Sequence, residues 1–198
     1  MENKKNYLFV HIPKNAGNSI MKLFEEEKVP LAIKRHYPNC YEDGTIKMFL
    51  LGITGYGCWQ NFYSFAFTRN PYERVKSAYK YLMKGGLQAL DKKYQGILMS
   101  YGSFKECCKH LHILKKTMVH FVSQSDFLCD CNDKILPNFV GKCENFEEDL
   151  RKVAPFIKRT IKINCSSDCC DDLELTDEIK QYIYEAYEKD FIIFGYEK

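Results

Sequence analysis

The chain has 198 residues, of which 45% are hydrophobic and 15% aromatic, and this composition disfavours a disordered protein and a coiled coil. The formal net charge is +3, but residues 1–143 carry 21 basic and 12 acidic side chains, while residues 144–198 carry 8 and 14. No signal-peptide core and no run of about 20 apolar residues is present, so the sequence predicts a soluble protein, cytoplasmic by default.

The first predicted element is a buried strand at residues 7–12, a run of aromatic and branched side chains. Pro13 ends the strand, and a short loop leads into a helix predicted from Ser19 onward. The apolar side chains of this helix recur on one face: Ile20, Leu23 and Phe24. The segment is therefore predicted to form a strand, loop and helix unit.

A second unit of the same kind begins at residues 64–68, which are apolar on both faces, as in a central strand of a parallel sheet. Its helix start is marked by Asn70 as the cap, Pro71 at the first helical position and Glu73 as the partner in a capping box. The glycine pair at residues 85–86 is predicted to end this helix.

The remaining chain continues the alternation. Apolar spacing predicts a helix around residues 104–114, a strand at residues 139–140, a helix after Asn145 and a last helix from Thr176. Residues 85–102 show the least periodicity and are predicted to form a mobile loop over a site. Strands that alternate with helices predict an α/β fold with a central parallel sheet flanked by helices.

Ten cysteines are a high number for an intracellular protein of this length. They contain no pair with two intervening residues, so a structural zinc site lacks its usual spacing. Two interpretations stay open: free thiols buried as small apolar side chains in a reducing compartment, or disulfides in an oxidising lumen.

The loop at residues 13–19 joins a predicted strand to a helix, an arrangement in which backbone N–H groups and a helix N-terminus converge on a phosphate. Lys14 adds a full charge, and Asn18 and Ser19 add hydrogen-bond donors. This is not a Walker A sequence, because Lys14 does not directly precede Ser or Thr, and an ordinary ATPase or GTPase is therefore disfavoured. An ordinary turn with a solvated lysine stays an alternative.

Arg69 follows the second predicted strand, at the end of the sheet where open α/β proteins bind ligands. Ser77 lies two helical turns further on and can help to hold the same group. The alternatives are a surface salt bridge for Arg69 and an exposed helix hydroxyl for Ser77. Two strand-to-helix junctions, each with a cation, favour a ligand with two phosphate groups.

Together these segments resemble the two cofactor signatures of the sulfotransferase family 2 proteins, which include the Golgi carbohydrate sulfotransferases. The signatures are FVHIPKNAGNS at residues 9–19 and FAFTRNPYERVKSAY at residues 65–79. Residues 139–150 and 187–196 resemble the same family, in the same order along the chain. The resemblance implies a P-loop-like, three-layer α/β fold and a single sulfotransferase domain over residues 1–198.

The resemblance also implies the reaction. A sulfuryl group would move from 3′-phosphoadenosine 5′-phosphosulfate (PAPS) to an acceptor hydroxyl, which we expect to belong to a carbohydrate. The transfer would require no metal, and it would leave 3′-phosphoadenosine 5′-phosphate (PAP) as the product. Arg69 and Ser77 would hold the 3′-phosphate, and Lys14 would also stabilise the departing phosphate oxygen. The 5′-phosphosulfate would be held by one loop: Lys14, Asn15, Ala16, Gly17, Asn18 and Ser19.

His36 is the predicted catalytic base, because many family members place a histidine between the two cofactor signatures and an imidazole with a pKa of about 6.5 suits proton removal near neutral pH. An exposed histidine in a basic loop is the alternative. The family usually has Thr where Asn15 and Asn18 stand here. The sequence identifies no single acceptor, and we expect acceptor contacts in residues 37–59 and 85–102.

Two other functions are weighed. One is a catalytically weak module that binds PAP or PAPS and acts through a partner; the other is a divergent nucleotide kinase, which the missing Walker lysine disfavours. The predicted partner is the acceptor, a glycan or another hydroxyl compound, and not a nucleic acid; the oligomeric state is not predicted. The basic character of residues 1–143 fits a polyanionic cofactor. A Golgi lumenal location would follow if the sequence lacks a membrane anchor that its Golgi relatives carry.

Overall fold

The computed structural model describes residues 6–35, 62–158 and 173–198. Its strands are β1 (Asn6–His11), β2 (Leu31–Arg35), β3 (Phe62–Thr68) and β4 (Phe139–Lys142). Its α-helices are α1 (Gly17–Glu26), α2 (Pro71–Met83), α3 (Ala89–Ser100), α4 (Phe104–Lys109), α5 (Leu111–Thr117), α6 (Gln124–Leu128), α7 (Phe146–Val153) and α8 (Asp177–Phe194). Within these ranges, none of the helices combines the length and the apolar character that a membrane span requires.

The chain divides into two compact units. The sheet unit contains Met1–Arg69 and Gln124–Asn164, and the helical unit contains Asn70–Ser123 and Cys165–Lys198. The single domain over residues 1–198 that the resemblance implies stays a prediction.

The four strands form one parallel sheet in the order β2-β1-β3-β4. Phe9 of β1 lies opposite both Ile33 of β2 and Phe65 of β3, and Ala66 of β3 lies opposite Val140 of β4. An all-parallel sheet with helices confirms the predicted α/β class. Side chains on both faces of the two central strands are buried, which explains why the β3 sequence is apolar without alternation.

One face of the sheet packs against α1 and α7. Phe9, Phe65 and Phe67 of the strands form a cluster with apolar side chains of both helices. The helical members of this cluster are Ile20, Leu23, Phe24, Phe146, Leu150 and Val153. Because a fully buried Phe contributes about 1.5–3 kcal/mol relative to an exposed one, this cluster fixes the two helices on the sheet.

The helical unit has its own core, in which α2, α3, α4, α5 and α8 bury apolar faces against one another. Cys107 and Cys108 of α4 are buried there as free thiols, and burial raises the pKa of Cys107 to about 11. Tyr187 interrupts the regular geometry of α8, and its hydroxyl donates a hydrogen bond to the carbonyl of Phe121. The prediction of buried free thiols is thus confirmed for Cys107 and Cys108.

Several predicted helix boundaries are confirmed. α2 begins at Pro71, and the side chain of Asn70 accepts a hydrogen bond from the N–H of Tyr72 at 2.9 Å. α8 begins after Thr176, whose hydroxyl accepts a hydrogen bond from the N–H of Ile179. α1 begins at Gly17, two residues before the predicted Ser19, because the loop residues already turn the chain into helical hydrogen bonding.

The predicted loop at residues 85–102 is wrong, since most of it forms α3. The buried face of this helix is made by Asp91, Tyr94 and Leu98, at helical spacing. Two of these three residues are polar or amphipathic, so a search for apolar periodicity does not detect the stripe. The predicted helix at 104–114 is two helices, α4 and α5, because His110 has non-helical backbone angles.

Asp91 explains why α3 starts where it does. One carboxylate oxygen accepts hydrogen bonds from the Tyr81 hydroxyl at 2.7 Å and from the N–H groups of Leu87 and Gln88 at 3.0 and 3.1 Å. Burial works to raise the pKa of Asp91, but these hydrogen bonds outweigh it and hold the pKa below its usual value. Burial and the bond to Asp91 raise the pKa of Tyr81 to about 12. Asp91 thus clamps the turn between α2 and α3.

Candidate functional site

The sheet order indicates one position at which a ligand is expected to bind. β1 pairs with β2 on one side and with β3 on the other, so the order in which successive strands join the sheet reverses between β1 and β3. In open parallel sheets, ligands bind at the carboxyl ends of the strands on either side of such a reversal. We call residues 12–19, Arg69 and Gln124, which lie at these two strand ends, the strand-end site.

The loop after β1 has an unusual backbone. Lys14 and Ala16 both have positive φ angles, 71° and 58°, although neither is glycine. Each such residue costs roughly 1–2 kcal/mol, so other contacts must hold the loop in this form. The N–H of Asn15 is bonded to the carbonyl of Ile12 at 3.3 Å. Turns with left-handed residues form concave surfaces of N–H groups that bind anions.

The start of α1 adds further donors. The N–H groups of Ser19 and Ile20 both donate to the carbonyl of Ala16, at 3.0 and 3.2 Å. The N–H groups of Gly17 and Asn18 therefore precede the first bond of the helix, as the first N–H groups of any α-helix do. Together with the helix dipole, such groups favour a negatively charged ligand.

Gly17 is required by its contact with His11. A Cβ atom at residue 17 would lie 2.1 Å from Cδ2 and Nε2 of His11, which is far inside van der Waals contact. The His11 ring is held in place by Phe9, with ring centroids 5.7 Å apart and planes inclined by 25°. The imidazole therefore lies directly against the first residue of α1.

Gln124 ties the two strand ends together, and its side chain is 0% exposed. Its Oε1 accepts hydrogen bonds from Asn15 Nδ2 at 2.7 Å and from the N–H of Arg69 at 2.9 Å. Its Nε2 donates to the carbonyl of Arg69 at 2.8 Å. Asn15, itself 1% exposed, also donates to the carbonyl of Phe67 at 2.8 Å. One amide thus fixes the loop after β1 relative to the end of β3.

The structure brings Arg69 against the backbone of Lys14, the other predicted cation of the sheet unit. The guanidinium Nη1 of Arg69 lies 3.5 Å from the carbonyl oxygen of Lys14, and both side chains are half-buried. The sequence around them contains no carboxylate, since residues 3–24 and 44–72 lack Asp and Glu. A lysine, an arginine and a set of N–H groups fit an anion such as a phosphate or sulfate.

Asn15 carries one feature that an anion alone does not explain. Its Oδ1 is buried and has no hydrogen-bond partner in the described part of the chain. Because an unsatisfied buried acceptor costs about 1–3 kcal/mol, a donor from a bound ligand or an ordered water would stabilise this loop.

The other predicted site residues are placed as follows. Asn18 is exposed and Ser19 half-buried at the start of α1. Ser77 is half-buried on α2, in the helical unit, and its part in the same site stays a prediction. His36 lies outside the described residues, as does the acceptor segment at 37–59. Within the described ranges, no three His, Cys, Asp or Glu side chains come together in a way that would hold a metal ion.

Sequence reasoning did not identify Gln124 and His11 as site residues. Gln124 lies 109 residues from Asn15 along the chain, and no local motif connects them. A weak signal existed, because Ser123, Gln124 and Ser125 are consecutive polar residues that directly follow the apolar pair Phe121 and Val122. For His11, the signal was a bulky ring before a loop whose single glycine is Gly17.

The comparisons with known proteins give one match. A family model described as the sulfotransferase family matches residues 1–197, which is essentially the whole chain. No curated protein and no solved structure matches the chain significantly.

Proposed function

Because the chain belongs to the sulfotransferase family and is a sulfotransferase, we propose that its donor is PAPS and that its acceptor is a hydroxyl group, in the first instance of a carbohydrate. The observation that supports this donor most directly is the strand-end site. There Lys14, Arg69 and the start of α1 present positive charge and N–H groups at the reversal point of a parallel sheet. The proposed fold is P-loop-like, and PAP would be the product.

The residues fit such a donor. The loop from Lys14 to Ser19 would hold the 5′-phosphosulfate, because its N–H groups and the α1 dipole favour two adjacent anionic groups. Arg69 would hold the 3′-phosphate, with Ser77 as a further donor from α2. When bound, PAPS supplies the sulfuryl group and a phosphate leaving group.

The chain's own part in catalysis is alignment and charge stabilisation. Lys14 would place its ammonium group where negative charge develops on the departing phosphate oxygen. One donor of this kind in a site that excludes water contributes about 3 kcal/mol to transition-state stabilisation. The half-buried position of Lys14 and the fixed loop around it support such pre-organisation. His36 would accept the proton of the acceptor hydroxyl.

Binding of PAP tests the donor. At a PAP concentration of about 100 times Kd, ligand binding stabilises the folded state by about 2.7 kcal/mol. For a chain of this size, that corresponds to a rise in melting temperature of about 5–10 °C. Lys14→Ala and Arg69→Ala should each remove most of this rise, whereas Lys22→Ala, which changes an exposed lysine of α1, should keep it. An unchanged melting curve of the wild-type protein at saturating PAP would overturn the proposed donor.

Transfer of a radiolabelled sulfuryl group from PAPS onto a panel of glycans and simple hydroxyl compounds tests the acceptor. Labelled product on a glycan is the expected result, and His36→Ala should lower kcat by about 100-fold or more if the imidazole is the base. Binding of PAP without transfer to any acceptor would favour the catalytically weak binding module instead. The cytoplasmic location stays a prediction.

A further inference from the structure

The positive charge of the chain is concentrated in one part of the sequence. Residues 76–118 contain nine lysines and only two acidic residues, whereas the rest of the chain carries 20 basic and 24 acidic side chains. Residues 1–75, which include Lys14 and Arg69, carry 10 basic and 7 acidic side chains. The segments that contain Lys14 and Arg69 therefore account for little of the excess positive charge. Most of this excess belongs to helices α2 to α5 of the helical unit.

The same part of the chain exposes large apolar side chains. Leu87, in the turn before α3, is 84% exposed, and Met99 near the end of α3 is 60% exposed. Leu90 and Ile97 are also exposed and lie seven residues apart, on the same side of the helix. We define the α3 surface by its exposed members: Leu87, Gln88, Ala89, Leu90, Lys92, Lys93, Gly96, Ile97, Met99 and Ser100.

The α3 surface is the outer side of α3. Its inner side is buried through Asp91, Tyr94 and Leu98. The middle of the outer side is formed by small residues, and a Cβ atom at Gly96 would meet nothing within 4 Å. A glycine in an exposed helix costs about 1 kcal/mol relative to alanine, so here it weakens α3 but lets a large flat partner approach the backbone. Lys92 and Lys93 flank this small-residue centre.

We propose that the α3 surface docks on a lipid bilayer that contains anionic lipids. Exposed lysines beside exposed aliphatic side chains are the combination by which interfacial helices bind such bilayers. Lys92 and Lys93 contact headgroup phosphates, and Leu87, Leu90 and Ile97 enter the boundary between headgroups and acyl chains. This binding requires no membrane span and no contact with the strand-end site.

Charge and residue type favour a bilayer over other occupants. A second copy of the chain would place lysines opposite lysines across a two-fold interface, which repels. A nucleic acid surface is usually rich in arginine and exposed aromatic rings, whereas residues 75–150 contain no arginine. A soluble polyanion would use the lysines but leave the exposed leucines without a role.

Vesicle flotation tests the proposal with the full chain. Phosphatidylcholine vesicles with about 30% phosphatidylserine should bind the protein, pure phosphatidylcholine vesicles should not, and high salt should weaken binding. The double variant Lys92→Gln, Lys93→Gln should bind about 30-fold more weakly, since each lysine near an anionic surface contributes a factor of about five. Leu87→Asn with Leu90→Asn should also cost tenfold or more, because both lose apolar contact with lipid.

Control variants change the same residue types elsewhere. Ile192→Asn removes a side chain that is 70% exposed on α8, and Lys134→Gln with Lys158→Gln removes two exposed lysines of the sheet unit. Both controls should keep wild-type vesicle binding. All variants should melt within about 2 °C of wild type, since they change surface positions only. The PAP-induced rise in melting temperature is measured in every variant as well. Because this rise depends on the strand-end site and not on the α3 surface, it distinguishes a loss of vesicle binding from a failure of the proposed donor.

Five outcomes would overturn the proposal. The first three are absence of flotation with anionic vesicles, equal flotation with neutral vesicles, and flotation that the lysine and leucine variants leave unchanged. In the fourth outcome, the protein binds heparin or RNA through Lys92 and Lys93, and vesicle binding does not change in the Leu87→Asn, Leu90→Asn variant. This result would identify a polyanion site. Loss of a dimer in the leucine variant, without loss of flotation, would identify a self-association surface instead.

Discussion

Replacement of Gln124 tests whether one buried amide holds the strand-end site in its ligand-binding form. Gln124→Leu keeps a similar side-chain volume but removes the hydrogen bonds described above, one from Asn15 Nδ2 and two with the backbone of Arg69. Asn15 keeps its bond to the carbonyl of Phe67. The change therefore loosens the link between the two strand ends without removing the strands, the loop or either cation.

The expected cost follows from the groups left unpaired. Buried polar groups without a partner cost about 1–3 kcal/mol each, but the backbone of Arg69 is only partly buried and water can satisfy part of it. We therefore expect a loss of about 2–4 kcal/mol, or a fall in melting temperature of about 4–16 °C. The ligand effect should be separate: the loop with positive φ at Lys14 and Ala16 loses its support, so PAP binding should weaken about tenfold or more.

Thermal melting with and without PAP measures both effects. Gln95→Leu is a matched control, because it removes one side-chain hydrogen bond, to the carbonyl of Met83 in the helical unit. It should lower the melting temperature by a few degrees and leave the PAP-induced rise unchanged. A Gln124→Leu protein that melts within 2 °C of wild type and keeps the full PAP-induced rise would refute the reasoning.

Gln124→Glu gives the same test a pH dependence. The protonated carboxyl can donate to the Arg69 carbonyl and accept on its other oxygen, as the amide does, whereas the ionised form is a buried charge facing a carbonyl. Burial raises the pKa of the introduced carboxyl in the folded state above the value of about 4.3 in the unfolded chain. Stability should therefore be near that of wild type at acid pH and fall as pH rises through the raised pKa. A variant with the same stability relative to wild type at all pH values contradicts this.

Three further predictions concern single contacts. Gly17→Ala should lower both stability and PAP affinity, since its methyl group collides with the His11 ring at 2.1 Å; a melting curve and PAP response like those of wild type would contradict it. Ala16→Gly should raise the free energy of unfolding by about 1 kcal/mol, measured by urea denaturation, because glycine adopts a φ of 58° without strain. Asp91→Asn should cost about 1.5–3 kcal/mol at neutral pH through its weaker bond from Tyr81. Since the folded pKa of Asp91 is below its usual value, its contribution is lost as pH falls through that pKa, so wild type and variant should converge at acid pH.

Local sequence signals predicted the elements that local interactions determine. The cap at Asn70, the proline at Pro71 and the cap at Thr176 act within one helical turn, and the structure confirms both helix starts. α3 was missed because its buried stripe contains Asp91, whose burial depends on the Tyr81 hydroxyl ten residues away. Apolar periodicity does not register a carboxylate that becomes buried through its hydrogen bonds.

The candidate site was also predictable only where local sequence patterns determine it. Arg69 directly follows β3 and Lys14 lies three residues after the end of β1, so a local pattern locates both, and parallel pairing of β1 with β3 brings the two segments together. Gln124 and the contact of His11 with Gly17 depend on the packed structure, and no spacing rule contains them. The basic and apolar α3 surface could not be predicted either, because its residues share one side only when residues 89–100 form a helix.

The hydrogen bonds of Gln124 also constrain the order in which the protein can fold. They join positions separated by 55 and 109 residues, so the loop after β1 closes only when more than half of the chain has left the ribosome. Contacts between such distant positions form late, because the entropy of loop closure must be overcome first. During synthesis, both cationic junctions are therefore present long before the geometry that makes them a binding site. Affinity for the proposed donor would then report on completed folding of the sheet unit, and a nascent chain that has not yet exposed Gln124 would bind it weakly.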